Sequence, residues 1–206
     1  MKERPSGEGP KSFPFFICIW ILFFLLPLCS QPAKAQRADE EKLSRYDRLA
    51  SEASLLNQRA QYDRVLALLQ PHQKDPQNDS ALFFNELGIA YRQLGKLSEA
   101  AQAYRQALTR DPENPVIHNN LGYVFYLQKD YPRAVEEYQK VLDSSPRFKE
   151  AHANLALAYY QQKRYPQALA EIEVVLKLDP NYQAAQKFRK KILNKLKQEK
   201  ASSPSR

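Results

Sequence analysis

Asn85-Glu86-Leu87-Gly88-Ile89-Ala90-Tyr91 returns as Asn119-Asn120-Leu121-Gly122-Tyr123-Val124-Phe125, and again as Ala153-Asn154-Leu155-Ala156-Leu157-Ala158-Tyr159, each copy 34 residues after the last. An alanine follows each copy (Ala100, Ala134, Ala168) and then a proline (Pro112, Pro146, Pro180), at the same interval. Self-similarity at a fixed period marks units that cannot bury their apolar face alone and must stack on neighbours. The chain therefore reads as a short solenoid, not as an enzyme built around a pocket.

With Ala81, Pro115 and Lys149 as position 1, the units 81–114, 115–148 and 149–182 align without a gap. Inside the first, Leu87, Ala90, Tyr91 and Leu94 recur at helical steps, and Ala100, Ala103, Tyr104, Ala107 and Leu108 do so after a break. The break is Gly95-Lys96-Leu97, then Lys129-Asp130-Tyr131-Pro132 and Lys163-Arg164-Tyr165-Pro166 in the later units. Pro132 and Pro166 fall where a first helical turn tolerates proline, because that N–H is unpaired anyway. Asp111-Pro112, Ser145-Pro146 and Asp179-Pro180 end each second helix. The pattern predicts two antiparallel helices per unit, about 14 residues and ~20 Å each.

A degenerate unit precedes these over 46–80. Tyr46, Leu49, Ala53 and Leu56 form a helical stripe, Gln61-Tyr62-Asp63-Arg64-Val65 imitates the turn, and Leu66, Leu68 and Leu69 carry the apolar run toward Asp75-Pro76. At the far end, Ala185, Phe188, Ile192 and Leu196 share one face with Lys187, Lys190 and Lys197 opposite, which predicts a basic capping helix over 183–200. The tail 201–206, with Ser202-Ser203-Pro204, is expected to be disordered.

The first 35 residues stand apart from this one compact domain. Lys2, Arg4 and Lys11 precede an unbroken apolar run, Phe15 to Leu26, of 12 residues. That suits a signal-peptide core and falls short of the roughly 20 residues a spanning helix needs. Pro27 breaks the run, and Ala33-Lys34-Ala35 supplies a small-x-small pattern, so cleavage is expected after Ala35. Two alternatives stay open: an uncleaved anchor from Phe13 to Cys29, and lipid modification at Cys29. The expected location is exported, periplasmic or secreted, or else membrane-anchored facing the periplasm.

Both cysteines, Cys18 and Cys29, lie in that leader, so the rest of the chain has no disulfide, thiolate metal ligand or cysteine nucleophile. The formal charge of +8 is also local. Residues 36–185 hold 19 Lys+Arg against 20 Asp+Glu, whereas residues 186–206 hold eight basic residues and Glu199. Such a patch attracts nucleic acid, anionic lipid or an acidic partner. Nucleic acid is not expected, since an exported protein meets little of it.

No chemistry-bearing constellation emerges. After the leader the glycines are Gly88, Gly95 and Gly122, which leaves no phosphate-cradling loop. His118 and His152 share one repeat position, but equivalent positions in adjacent units lie roughly 8–10 Å apart or more, and no carboxylate or cysteine is placed to complete a metal set. The carboxylate pairs Glu136/Glu137 and Glu171/Glu173 read as solvated faces of second helices. Neither a cofactor nor a metal is predicted, and no enzymatic activity.

The repeat closely resembles the tetratricopeptide repeat, which places Trp-x-x-Leu-Gly-x-x-Tyr on its first helix, Ala and an aromatic on the second, and Pro at the end. Phe84, Leu87, Gly88, Tyr91, Ala100, Tyr104, Ala107 and Pro112 match it in the first unit. The second keeps Leu121, Gly122, Phe125, Ala134, Tyr138 and Pro146, with His118 for Trp; the third keeps Leu155, Tyr159, Ala168 and Pro180, with Ala156 for Gly and Ile172 for the aromatic. The resemblance implies a right-handed α-solenoid of antiparallel helical hairpins, here of the exported, signal-bearing bacterial type.

It also implies a concave partner groove lined by positions 2, 5, 6, 9, 12 and 13 of each first helix. In this chain the candidate residues are Leu82, Asn85, Ile89, Arg92, Asn119, Asn120, Tyr123, Tyr126, Leu127, Asn154, Leu157 and Tyr160, with Glu86, Val116, Glu150, Ala153 and Gln161 beside them. Asn120 and Asn154 can bond both donor and acceptor of an extended backbone, although Asn before Leu is also family consensus. Tyr123, Tyr126 and Tyr160 offer broad contact area, so these tyrosines are expected to carry binding and little stability. The basic clamp by which some members hold a C-terminal carboxylate is missing, since Glu150 and Asn154 occupy two of its places. The implied function is noncatalytic binding of a protein segment, an extended peptide or a helix, as an extracytoplasmic assembly or scaffolding factor. The alternative is an adaptor anchored by its leader, in contact with the membrane, with Lys195, Lys197 and Lys200 near anionic lipid or an acidic partner.

Overall fold

Four left-handed residues set the architecture. Ala60, Gly95, Lys129 and Lys163 have φ of 55°, 74°, 62° and 60°. Each reverses the chain at the end of a first helix, and the following N–H bonds back to the last turn: Gln61 to Leu56, Lys96 to Tyr91, Asp130 to Phe125 and Arg164 to Tyr159, all at 2.9 Å. This six-to-one bond closes a helix C-terminus and aims the chain back along it. The result in the computed structural model, which describes residues 44–202, is an all-α solenoid of paired helices.

The pairs are α1 (Arg45–Gln58) with α2 (Tyr62–Leu69), α3 (Ala81–Gln93) with α4 (Leu97–Leu108), α5 (Pro115–Leu127) with α6 (Tyr131–Ser144), and α7 (Lys149–Gln161) with α8 (Tyr165–Leu178). A single helix α9 (Gln183–Ser202) follows, and no strand occurs among the described residues. Side chains cap several starts: Ser80 Oγ accepts from the Phe83 N–H at 3.1 Å, and Asn114 Oδ1 from the Val116 and Ile117 N–H groups at 3.0 and 3.2 Å. Each satisfies orphan donors of a helix start.

Gly95 sits in open space, so adding a methyl group there meets no neighbour. Gly95→Ala therefore isolates the conformational penalty of a left-handed alanine and is expected to cost about 1–2 kcal/mol. Chemical denaturation measures it; an unchanged midpoint would mean the turn does not hold this conformation in solution.

The N-terminal pair departs from the sequence expectation. Its turn falls at Ala60, and the stretch Tyr62–Val65, expected as turn, already begins α2. The second helix stops at Leu69, passing into a 3-10 turn over Gln70–His72, instead of running toward Asp75. Pro71 is the physical reason, since it has no N–H to continue the ladder and its ring clashes with the preceding turn.

In the next two pairs the helices approach most closely at one matched position. A Cβ on Gly88 would lie 2.7 Å from the Tyr104 ring, and one on Gly122 2.8 Å from the Tyr138 ring. The next pair carries Ala156 and Ile172 at the same two places, a larger residue facing a slimmer one. The departures from the repeat consensus compensate each other.

Helix α9 stacks on α8 as α5 does on α4 and α7 on α6. It buries Ala185 and Ile192 against the core and half-buries Phe188 and Leu196. Ala201 and Ser202 are helical, so the expected disordered tail does not begin at 201; residues 203–206 lie outside the described chain.

The location read from the leader is corrected here. No helix among the described residues is long and apolar enough to cross a membrane. The longest, α9, has 20 residues and carries Lys187, Arg189, Lys190, Lys191, Lys195, Lys197 and Lys200. The signal peptide over 1–35, its cleavage after Ala35 and the alternatives at Phe13–Cys29 all fall outside the described residues. Nothing described carries a periplasmic, secreted or membrane-anchored location.

Candidate partner groove

The first helices bring their groove positions into a continuous row, but part of that row is spent inside the protein. Asn120 Nδ2 donates to Asn85 Oδ1 at 3.1 Å, and Asn154 Nδ2 donates to Asn119 Oδ1 at 3.0 Å. Position 6 of one unit is thereby tied to position 5 of the unit before it. Asn85 is only 8% exposed and donates on to Glu86, whose carboxylate also accepts from Asn57 Nδ2 at 2.8 Å. Burial pushes the Glu86 carboxyl up from its ordinary value, and the two amide bonds pull it back. The amides expected to bind a partner backbone thus hold the units in register, each of Asn120 and Asn154 using one of its two amide hydrogens.

The tyrosines divide by position. Tyr126 packs its ring 5.7 Å from Tyr131, at the start of its own second helix, and its hydroxyl accepts from Gln161 Nε2 at 3.1 Å. Tyr160 lies 5.2 Å from Tyr165 and 5.2 Å from Phe188 of α9. Both occupy position 12, beside the left-handed turn, where a side chain meets the returning helix. They pack against neighbouring helices, so truncating either is expected to cost stability as well as contact area. Tyr123, at position 9, stacks on Tyr126 at 6.1 Å, with the Arg92 guanidinium 5.3 Å from its ring centre. Leu82, Val116 and Leu127 are 42%, 49% and 38% exposed, whereas Ile89 packs partly on the core.

Two recesses line this face. One of about 360 Å³ is bounded by Arg92, Asn119, Tyr123, Asn154 and Leu157, with Lys149, Glu150, Ala153 and Tyr182. The other, about 510 Å³, lies at the N-terminal end, where Asp47, Asp79 and Asp111 surround Leu82, Asn85 and Val116. Lys149 is held by Asp179 at 3.0 Å and lies 5.1 Å from the Tyr182 ring centre. Tyr182 escaped the sequence reading. It repeats Phe148 one period earlier, and that was the available signal.

The histidines are structural clasps. His118 Nε2 donates to the Pro112 carbonyl at 2.8 Å while Nδ1 meets Glu137 at 2.6 Å; His152 does the same with Pro146 at 3.0 Å and Glu171 at 2.7 Å. Both ring nitrogens are committed, so neither presents a free lone pair to a metal. Glu137 is consequently buried instead of solvated, tied also to Lys140 at 2.8 Å. Among the described residues no three His, Cys, Asp or Glu side chains group as a metal set.

Stacked helical hairpins with a grooved face and committed histidines define a helical solenoid module. The family follows: tetratricopeptide-repeat models match residues 85–147 and 125–192, and the chain is a tetratricopeptide-repeat protein. These matches bear on the repeats and do not reach the leader. No curated protein sequence matches the chain. Among solved structures it resembles the first such domain of Spaghetti (RPAP3) bound to the HSP90 peptide SRMEEVD, at 26% identity and TM-score 0.56, over 57% of this chain and 93% of that one. Pseudomonas aeruginosa pilF aligns at 24% identity and TM-score 0.66, over 74% and 69%. MamA of AMB-1 aligns at 21% and 0.65, over 78% and 93%. The last two likenesses concern the fold alone.

Proposed function

We propose that this chain is a noncatalytic assembly or scaffolding factor that holds an extended or helical segment of a partner protein along the groove of its first helices. The observation that supports this most directly is the recess where Arg92 and Tyr123 stand beside Asn119, Asn154 and Leu157. It sets stiff aromatic and aliphatic contact area next to amide donors and acceptors, the mixture that binds a polypeptide backbone together with its side chains. The proposed contact set is Leu82, Arg92, Asn119, Asn120, Tyr123, Leu127, Asn154 and Leu157. Asn85, Ile89, Tyr126 and Tyr160 support it from beneath. The similar Spaghetti domain was solved with an HSP90 peptide, which agrees with groove binding as the mode.

Capture of partners from a lysate tests the reading. Tyr123→Ala combined with Val116→Glu is expected to weaken capture by about 30-fold, the effect of losing a central aromatic worth roughly 2 kcal/mol. The melting temperature should barely move, because Val116 is 49% exposed and Tyr123 lies on the surface of its stack. A variant that melts normally and still captures every partner would rule out this groove.

A further inference from the structure

We propose that α9 takes the register of the first helix of a fifth unit, and that its groove positions make this end of the groove a seat for an acidic protein segment bearing an apolar side chain. This rests on the groove reading above and adds the chemistry of the partner.

The register is carried by contacts. Residue 183 follows 149 by one period, which places Gln186 where earlier units have His118 and His152. Gln186 Nε2 donates to the Pro180 carbonyl at 2.7 Å, the same bond those histidines make to Pro112 and Pro146. Lys191 Nζ lies 4.9 Å from the Tyr160 ring centre, position 9 against position 12 of the preceding unit. Arg92 and Tyr123 make that contact at 5.3 Å with cation and ring exchanged. Helix α9 therefore turns the same face to the groove as α5 and α7 do.

On that face, positions 5, 9 and 13 are Lys187, Lys191 and Lys195. In the three preceding units they are Asn85, Ile89 and Gln93; Asn119, Tyr123 and Leu127; and Ala153, Leu157 and Gln161, none of them charged. A lysine row confined to one end of the groove is thus no general solvation device. Nearby ion pairs join Arg189 to Glu173 and Lys149 to Asp179, and leave Lys187 and Lys191 outside them. Both are exposed. Beside them an apolar recess of about 120 Å³ opens between Leu157, Ile172 and Phe188. An acidic segment fits by laying an apolar side chain in that recess and its carboxylates along α9, away from Glu150 in the adjoining recess. The absent clamp means that no free C-terminus is required.

The test uses the full chain and a labelled peptide of leucine flanked by glutamates, acetylated and amidated so that it has no terminal charge, followed by fluorescence anisotropy. Binding is expected, falling as salt rises. K187E/K191E is expected to weaken it about tenfold or more, and K190E/K197E, the same charge change away from the groove face, by less than about twofold. Lys187→Gln with Lys191→Gln should give an intermediate loss without reversing charge. Equal losses in the two charge-reversed variants, no binding, or equal binding of a lysine-for-glutamate peptide would overturn the proposal. So would tighter binding to phosphatidylserine vesicles or single-stranded DNA, or self-association that requires Lys187 and Lys191. If K187E/K191E keeps all lysate capture while Tyr123→Ala with Val116→Glu loses it, the lysine seat fails and the groove stands.

Discussion

Removal of residues 183–206 is expected to aggregate or unfold the repeat body, not merely to shorten it. Helix α9 covers the outer side of α8, where Ile172 is 2% and Val175 0% exposed, and it contributes Ile192 at 0%. Each such side chain contributes about 1.5–3 kcal/mol by burial, so uncovering this surface reaches a large part of the 5–15 kcal/mol that holds a typical domain together. A solenoid makes the consequence sharper, because each unit is stabilised mainly by its neighbours and a bare apolar end recruits another chain. Circular dichroism melts and size-exclusion chromatography of the truncated chain measure this. The milder Ile192→Ala should cost about 2–5 kcal/mol, while Lys190→Gln with Lys197→Gln should stay within about 0.5 kcal/mol. A truncated chain with an unchanged melting curve would show that α9 is an appendage, and the fifth-unit reading would fall with it.

Gly122→Ala is expected to be, with Gly88→Ala, among the most damaging single-methyl changes in the body of the chain. The added carbon would stand 2.8 Å from Tyr138 Cε1 and 3.2 Å from Glu137 Cβ, both on buried residues with no room to swing away. Overpacking of this kind costs about 1–3 kcal/mol. The neighbouring pair Ala156/Ile172 shows the compensating arrangement, so Gly122→Ala with Tyr138→Ile should recover part of the loss, with a coupling of about 0.5–3 kcal/mol in a double-mutant cycle. Tyr138→Phe separates size from polarity. The Tyr138 hydroxyl is buried without a hydrogen-bond partner, and burial pushes its phenol well above the ordinary range. Deleting that hydroxyl should therefore cost little. Strict additivity of the first two substitutions would mean that Gly122 is tolerant for a reason other than its contact with Tyr138.

The sequence by itself determined the period of 34 residues, the pairing of helices within each unit and the places where the chain turns in the units 81–114, 115–148 and 149–182. Those features depend on contacts that are local and repeated. Helical spacing of apolar residues and proline in a first turn both act within about one unit's length. That both cysteines lie at positions 18 and 29 needs only a count of residue types. The exported location was read from residues whose structure is not described, and no feature of the described helices supports it.

Only the tertiary structure decided what each groove residue touches. Asn120 and Asn154 look alike to a solvent-facing amide and to a register bond, until the preceding unit brings Asn85 and Asn119 within 3.1 and 3.0 Å. Tyr123 and Tyr126 are three residues apart on one helix, yet the left-handed turn at Lys129 returns Tyr131 onto the second and leaves the first on the groove face. His118 and His152 became clasps once the second helix placed Glu137 and Glu171 opposite them. Helix α9 shows its register in contacts with Pro180 and Tyr160. Apart from the bond to the Pro180 carbonyl, each of these facts is a distance between side chains on different helices. Periodicity says which positions face the same way, and packing says which neighbour is there to meet them.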